Sequence, residues 1–455
     1  MWLPDVGGMK GPKYLAIANA VAEAVESGKL SPGQKLPPHR ELAYQLKVSV
    51  QTVFRAYAEL ERRRLAVGEV GRGTFIRYLD PDSVSSFIVD KGSENLIDMS
   101  TMAPVTSHLH TKAIAKVLRQ IADDPDMMRL MTHRPIIGSS LHRASAARWL
   151  RGLGVRADSN GVIITNGAQH GLLVALTAFA EPGDSIACAS LTDSAVVTMA
   201  DSLNMRLVGL ETDGEGILPG DLDAACRRGP IRVLCVTPNL NNPTTVTMSS
   251  GRRREIAEIA RRHDIWIVED DVFGPLLKKR HKPFQTLAPE RTCYATSFSK
   301  SVMHSLRTGY LVAPPPVIDR LTSRLRTTGW MSNPFSAEIA MRWTADGTVE
   351  RLIDWQRQEL FRRNRAFGKM FSGCSYASNP VSHHIWFQLP GGVSPDRFVS
   401  KARERNLLVT GPSPFVAEHH TDPNAIRITI GDAVRSGTEF KQGLTTLRRI
   451  LGEFT

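Results

Sequence analysis

An α/β fold in two unequal parts is what this 455-residue sequence predicts, and three observations carry it. Apolar, strand-like runs alternate with helical stretches over most of the chain, a short basic helical module precedes them, and a polar stretch lies between. Hydrophobic residues make up 42% and charged residues 22%, ordinary proportions that exclude wholesale disorder. No run approaches the roughly 18 apolar residues of a membrane span, and the opening MWLPDVGGMKGPK lacks the apolar stretch of a signal peptide. Cys188, Cys226, Cys235, Cys293 and Cys374 are odd in number and scattered, with no metal-ligand spacing. That usage suits reduced, buried thiols in a cytoplasmic protein. The net charge of +12 is uneven: residues 1–79 hold 12 Lys and Arg against 7 Asp and Glu, so +5 sits in a sixth of the chain.

The first element is a helix over Tyr14–Ser27, with Leu15, Ile17, Ala18, Val21, Ala22 and Val25 as its apolar stripe and Ser27-Gly28 as its stop. SPGQKLPPHR (31–40) is turn-rich and leads into the short helix ELAYQLK. Ser49 is placed to cap a third helix from Val50 to about Arg63, whose buried face is Val53, Tyr57 and Leu60. Two short helices joined by a tight connection have the length of a helix-turn-helix. GEVGRGTFIRY then alternates like a strand pair with a glycine-rich tip, a wing. Gln51, Thr52 and Arg55 fall opposite the buried face, near the helix N-terminus, where side chains reach base edges in a major groove. Arg40 and Arg72 are placed for phosphate or minor-groove contact. This first domain spans residues 11–78, and residues 79–98, rich in Ser, Asp, Gly and Pro, read as a linker.

The large domain spans residues 99–455. GVIIT (161–165), DSIACAS (184–190), IRVLCVT (231–237), DIWIVED (264–270) and TCYATS (292–297) alternate with helical stretches including 169–180 and 249–263. That βα rhythm predicts a largely parallel sheet covered by helices. FQLPGG (387–392), a helix near 395–406 and NAIRITIG (424–431) read as a smaller α+β part. TNGAQHGL (165–172), TPNLNNPTT (237–245), VEDD (268–271) and TSFSKSVMHSLRTGYL (296–311) fall at strand ends, where open α/β sheets place ligands. In the first of these, a glycine turn opens a helix whose N–H groups suit a phosphate. RRR (252–254), KKRHK (278–282) and RRNR (362–365) read as solvated helix faces or loops.

LSPGQKLPPHRELAYQL, VSVQTVFRAYAEL and GRGTFI, in that order, resemble the GntR-type winged helix-turn-helix family. The resemblance implies double-stranded DNA as a partner, met by Arg40, by the recognition-helix positions Ser49, Gln51, Thr52 and Arg55, and by Arg72 and Gly73 of the wing. The four strand-end motifs together resemble a fold type I aminotransferase that uses pyridoxal 5′-phosphate. Lys300 then matches the lysine of the internal aldimine and Asp270 the carboxylate paired with the pyridine nitrogen, which makes the ring an electron sink. Asn242 matches the donor to the ring 3′-oxygen. Ala168, Gln169, Ser297, Ser299 and Arg307 match the phosphate site, Arg307 suiting a bidentate grip. Arg427 matches the arginine that holds a ligand carboxylate. A GntR-type head, a linker and an aminotransferase-like body in one chain resemble the MocR family of bacterial regulators. The family implies a head-to-tail homodimer on an operator with two half-sites, cytoplasmic and at the nucleoid when bound to DNA.

Three departures from the pattern bear on catalysis. Phe273 stands three after Asp270, where the resemblance implies a Tyr whose hydroxyl also reaches the 3′-oxygen. Asp193 stands where an aromatic residue is usual, and Thr245 replaces the Gly of NPTG. HRPIIGSSLHR (133–143) fits the substrate-loop pattern poorly. The favoured reading is a regulator sensing an amino compound or the cofactor itself. A working aminotransferase with a subsidiary DNA-binding head, and a body that serves dimerisation alone, are the rivals.

Overall fold

The computed structural model describes residues 2–4, 12–26, 29–30, 34–62, 65–69, 73–76, 96–132, 135–417, 423–431 and 437–454. The chain divides into two compact units, Met1–Val89 and Asp90–Thr455.

In the first unit α1 (Lys13–Glu26), α2 (His39–Gln45) and α3 (Val50–Arg62) precede β1 (Ala66–Glu69) and β2 (Gly73–Ile76), which pair antiparallel. Ile17, Ala18 and Val21 of α1 share one core with Leu42 and Ala43 of α2 and with Val53, Ala56, Tyr57 and Leu60 of α3. The Tyr57 hydroxyl donates to the Pro37 carbonyl at 2.7 Å, which satisfies a buried polar group. Gly73 has φ +116°, a backbone that favours glycine, while the nearest atom to a Cβ there is Lys35 Cε at 2.7 Å, the end of a flexible side chain that can move aside.

The second unit runs β3 (Ile97–Asp98), α4 (His108–Ala122), α5 (Ser140–Gly152), β4 (Val162–Thr165), α6 (Ala168–Phe179), β5 (Ser185–Ala189), α7 (Ser194–Ser202) and β6 (Arg206–Leu210). The small hairpin β7 (Thr212–Asp213) and β8 (Gly216–Ile217) leads to α8 (Pro219–Arg228), β9 (Ile231–Val236), α9 (Ser250–Arg262) and β10 (Trp266–Asp270). Then come α10 (Phe284–Leu287), β11 (Thr292–Ser297) and β12 (Gly309–Val312), followed by α11 (Ile318–Gly329), α12 (Pro334–Ala345) and the long α13 (Thr348–Met370). The last part holds β13 (Tyr376–Ala377), β14 (His384–Gln388), α14 (Pro395–Glu404), β15 (Leu407–Leu408), β16 (Ala425–Thr429) and α15 (Gly437–Gly452).

Seven strands form one sheet in the order β4-β12-β11-β10-β9-β5-β6. β12 is antiparallel to both neighbours and the other pairings are parallel. Every residue of β4, β9 except Arg232, and β11 is buried, as a sheet covered on both faces demands. Because six strands run one way, Thr165, Ala189, Val236, Asp270 and Ser297 all end at one edge, and the loops that follow meet there. β13, β14 and β16 form a separate antiparallel sheet over a core that includes Phe367, Phe371, Phe387, Ile426 and Leu444.

Two sequence readings change. Ile97 and Asp98, assigned above to the linker, form β3 and pair in parallel with β15. The basic runs are not solvated throughout. Arg253 is fully buried, donating to Met248 O, Pro238 O and Asn239 Oδ1. Arg280 pairs with buried Asp271, and Arg363, 3% exposed, donates to Ile430 O and Gly431 O. Each is an internal cation that ties loop carbonyls or a carboxylate, a role that a local run of charge does not reveal.

Candidate ligand cleft and nucleic-acid interface

The loops after β4, β5, β9, β10 and β11 bring the strand-end motifs together in the second unit. Lys300 follows β11, is partly buried, and its Nζ donates to the Met102 carbonyl at 2.6 Å. Burial, aided by the nearby Arg427 and Arg307 charges and opposed by Asp193 and Asp270, lowers its pKa to about 8. Asp270 closes β10. Burial first, then the Asp193 carboxylate, push it up to about 8. A raised folded-state value means stability that is full below pH about 4 and lost as pH rises through about 8. We therefore expect the dialysed wild-type protein to lose stability between pH 5 and 8 relative to Asp270→Asn. The difference, at least about 1 kcal/mol (the value of one pKa unit), is read from urea midpoints; parallel pH profiles would refute the assignment.

Asn242 has both ends of its amide engaged. Its Nδ2 donates to Asp193 at 2.7 Å and its Oδ1 accepts from Arg427 Nη1 at 3.2 Å. Arg427 is 4% exposed and also donates to Ser100 O and to Thr410 Oγ1, with its guanidinium 4.6 Å from the Phe415 ring centroid. Burial, offset by Asp193 and Asp98, lowers it to about 10. The segment Asp98–Met102 thus holds Lys300 and Arg427 through backbone carbonyls. Asp98 shapes it, accepting from Ser100 N, Ser100 Oγ and Thr101 N.

Asp193 does two things. It caps α7 by accepting from Ala195 N at 2.9 Å, and it puts a negative charge beside Lys300, Asp270 and Arg427. Phe273 is buried with its ring centroid 5.9 Å from those of both His383 and His384. Burial holds both imidazoles neutral, His384 at about 3. Thr245 keeps φ +61°, the left-handed backbone that its β-branched side chain disfavours by about 1–2 kcal/mol.

At the N-terminus of α6, Gly167 has φ +86°, and a Cβ on it would meet the Arg307 guanidinium at 3.1 Å. A Cβ on Gly309 would meet the Gly167 carbonyl carbon at 2.4 Å, so β12 and the α6 turn approach as only glycine permits. Arg307 is exposed and donates to Asn166 O at 3.2 Å. Ser297 Oγ accepts from Ser299 N at 3.3 Å, and buried Ser299 Oγ has no hydrogen-bond partner among the described residues. Free helix N–H groups, an open guanidinium and a partnerless hydroxyl suit a phosphate-sized anion. Ala168 contributes backbone there, while Gln169 is exposed. Sequence reasoning missed the Asp98–Met102 carbonyls, His383 and His384; only the paired histidines had a side-chain signal.

In the first unit Arg40, Ser49, Gln51 and Arg55 are exposed. Ser49 Oγ accepts from Thr52 N at 3.1 Å and is 2.8 Å from Thr52 Oγ1, so half-buried Thr52 is drawn into the cap. Val50 and Phe54, which the sequence reading passed over, share the exposed face. Arg72 lies outside the described residues.

Comparison with known proteins follows the same division. Residues 95–442 match the family model for aminotransferase class I and II, and residues 13–76 the model for bacterial regulatory proteins of the gntR family. The chain is 27% identical over 454 residues to the HTH-type transcriptional regulator YdeF of Bacillus subtilis (strain 168), covering 100% of this chain and 97% of the other. It is 27% identical over 378 residues to the HTH-type transcriptional regulator YjiR of Escherichia coli (strain K12), covering 78% and 80%. Among solved structures, an archaeal alanine:glyoxylate aminotransferase superposes with TM-score 0.73 at 18% identity, covering 82% of this chain and 95% of that one. Pyrococcus horikoshii kynurenine aminotransferase does so with TM-score 0.71 at 20% identity, covering 83% and 95%. At these identities the structural likeness is one of fold.

Proposed function

This chain belongs to the aminotransferase class I and II family over residues 95–442 and, with its gntR-family head at 13–76, has the MocR architecture; on that premise we propose a transcriptional regulator that binds DNA and senses a small ligand. The carrying observation is the single chain that joins an exposed recognition helix to a cleft built around Lys300. The ligand side of the reading is pyridoxal 5′-phosphate together with an amino compound, or the cofactor alone.

The residues fit that cofactor. Its phosphate suits Ala168 N–H, Ser297, Arg307 and the partnerless Ser299 hydroxyl. When bound it supplies an electrophilic aldehyde and an electron-withdrawing ring. Lys300, lowered to about 8, keeps roughly a tenth of its amine neutral at pH 7, enough to act as a nucleophile. Asp270 releases its proton once a cation lies against it, because an adjacent positive charge reverses the effect of burial. Arg427 spends three of its five N–H donors on Asn242 Oδ1, Ser100 O and Thr410 Oγ1, and its buried Nε, without a partner among the described residues, is left for a carboxylate. Phe273 offers no hydroxyl, and Asn242 spends one of its two amide N–H donors on Asp193. Both features favour binding over turnover, which is why a working aminotransferase is the second reading.

A second copy of the chain completes the proposal. Met128, Met131, Leu141 and Trp330 are 55–68% exposed, and Phe335 is exposed beside them in sequence. Leu141 also lines a cavity of about 290 Å³ together with Leu130, Met331 and Pro334. Apolar exposure of this kind marks a protein interface and supports a head-to-tail homodimer on two half-sites. A cytoplasmic location suits such a regulator.

Arg55→Ala tests the DNA side. Full-length variant is expected to bind its selected operator at least about tenfold more weakly, the cost of one base-directed contact, while taking up cofactor with the wild-type spectrum. Unchanged DNA affinity would overturn the placement of α3. Ligand-dependent change of operator affinity supports the sensor; multiple turnover of an amino acid with a 2-oxo acid would move the reading to the enzyme.

A further inference from the structure

The face of α3 that presents Gln51 and Arg55 also presents Val50, Phe54 and Ala58. Spaced four apart, these three form one apolar stripe beside the polar one. Val50 is 47% and Phe54 58% exposed, and Ala58 is exposed as well. The head's own core takes the opposite face, through Val53, Ala56, Tyr57 and Leu60, so the stripe lies outside that core. Phe54 is nevertheless held in place. Its ring centroid lies 5.8 Å from that of His39, which lies 4.7 Å from that of Tyr57. The stripe begins at the capped N-terminus of α3, the end at which Ser49 accepts from Thr52 N.

A phosphate offers nothing to such side chains. The apolar feature that a base-pair edge presents in the major groove is the C5-methyl group of thymine. We propose that Val50 and Phe54 read thymine methyl groups, so that the preferred operator carries T·A pairs beside the base pairs met by Gln51 and Arg55. This inference rests on the DNA-binding reading above. It adds the kind of base that the recognition helix selects.

The test starts by letting the full-length protein select duplexes from a randomised pool. The selected duplex is then remade with deoxyuridine in place of thymine, one position at a time. At the thymines under the stripe, deleting one methyl is expected to weaken binding about fourfold, the transfer value of one buried carbon. A Val50→Ala/Phe54→Ala variant, its folding checked by far-ultraviolet dichroism because Phe54 also touches His39, should lose that sensitivity. A duplex bound specifically but indifferent to every uridine overturns this inference and leaves DNA binding standing. A double variant that alters the size of the assembly, yet still responds to uridine, overturns it too, since the stripe would then cover protein. A pool that yields no preferred duplex overturns the DNA-binding reading and this inference with it.

Discussion

Lys300→Ala protein, incubated with pyridoxal 5′-phosphate and treated with borohydride, is expected to retain no covalent pyridoxyl group, whereas the wild type retains one per chain. The loss should be complete, because no other lysine in the described residues answers to the same arrangement. Lys300 Nζ lies 2.6 Å from the Met102 carbonyl, with Asp193, Asp270, Arg427 and Arg307 close enough for their charges to act on it. A surface lysine remains protonated until pH about 10. Burial of Lys300 brings that transition to about 8, so the wild-type capture rate should climb with pH and level off above 8. A rate still climbing at pH 10, or a variant that is labelled as fully as the wild type, would place the reactive amine elsewhere.

The site was legible where the chemistry lies in side chains at strand ends. Lys300, Asp270, Asn242 and Arg307 sit in motifs whose order along the chain becomes proximity in space, because six of seven strands point the same way. It was illegible where the work is done by backbone. Ser100 O and Met102 O hold Arg427 and Lys300, and a carbonyl leaves no mark in a sequence; the same stretch begins at Asp98, which its polar surroundings disguised as linker. Burial was misread for a related reason. Arg253, Arg280 and Arg363 stand in runs of basic residues, and a run of charge ordinarily signals solvent. Only the fold supplies the acceptors that let a guanidinium be buried. Asp193 was noticed as a departure, but its double engagement, capping α7 while holding Asn242, needed the loops after β5 and β9 side by side.

The largest loss of stability is expected at Asp271→Ala, about 3–5 kcal/mol, the usual cost of stripping one partner from a buried charged network. Asp271 has no exposed surface. Its Oδ1 accepts from Asn239 Nδ2 at 2.7 Å, and its Oδ2 accepts from Tyr294 at 2.7 Å and pairs with Arg280. Removing the carboxylate leaves the Arg280 charge buried without its counter-ion, and leaves a phenol and an amide without acceptors. Arg280 Nη1 still reaches Leu153 O at 2.8 Å, a neutral contact that cannot balance the charge. The backbone of Asp271 is bonded to β11 as well, N to Ala295 O at 2.8 Å and O from Thr296 Oγ1 at 3.0 Å, so its displacement carries Asp270 with it. Cofactor retention should therefore fall in the same variant, although Asp271 faces away from the cleft. Urea midpoints followed by far-ultraviolet dichroism give the first quantity and borohydride labelling the second. Adding Arg280→Leu should return part of the lost stability, since the unpaired charge goes with the guanidinium. If the double variant is as unstable as the sum of the two single variants, the two residues act independently and the pairing is not what holds this loop.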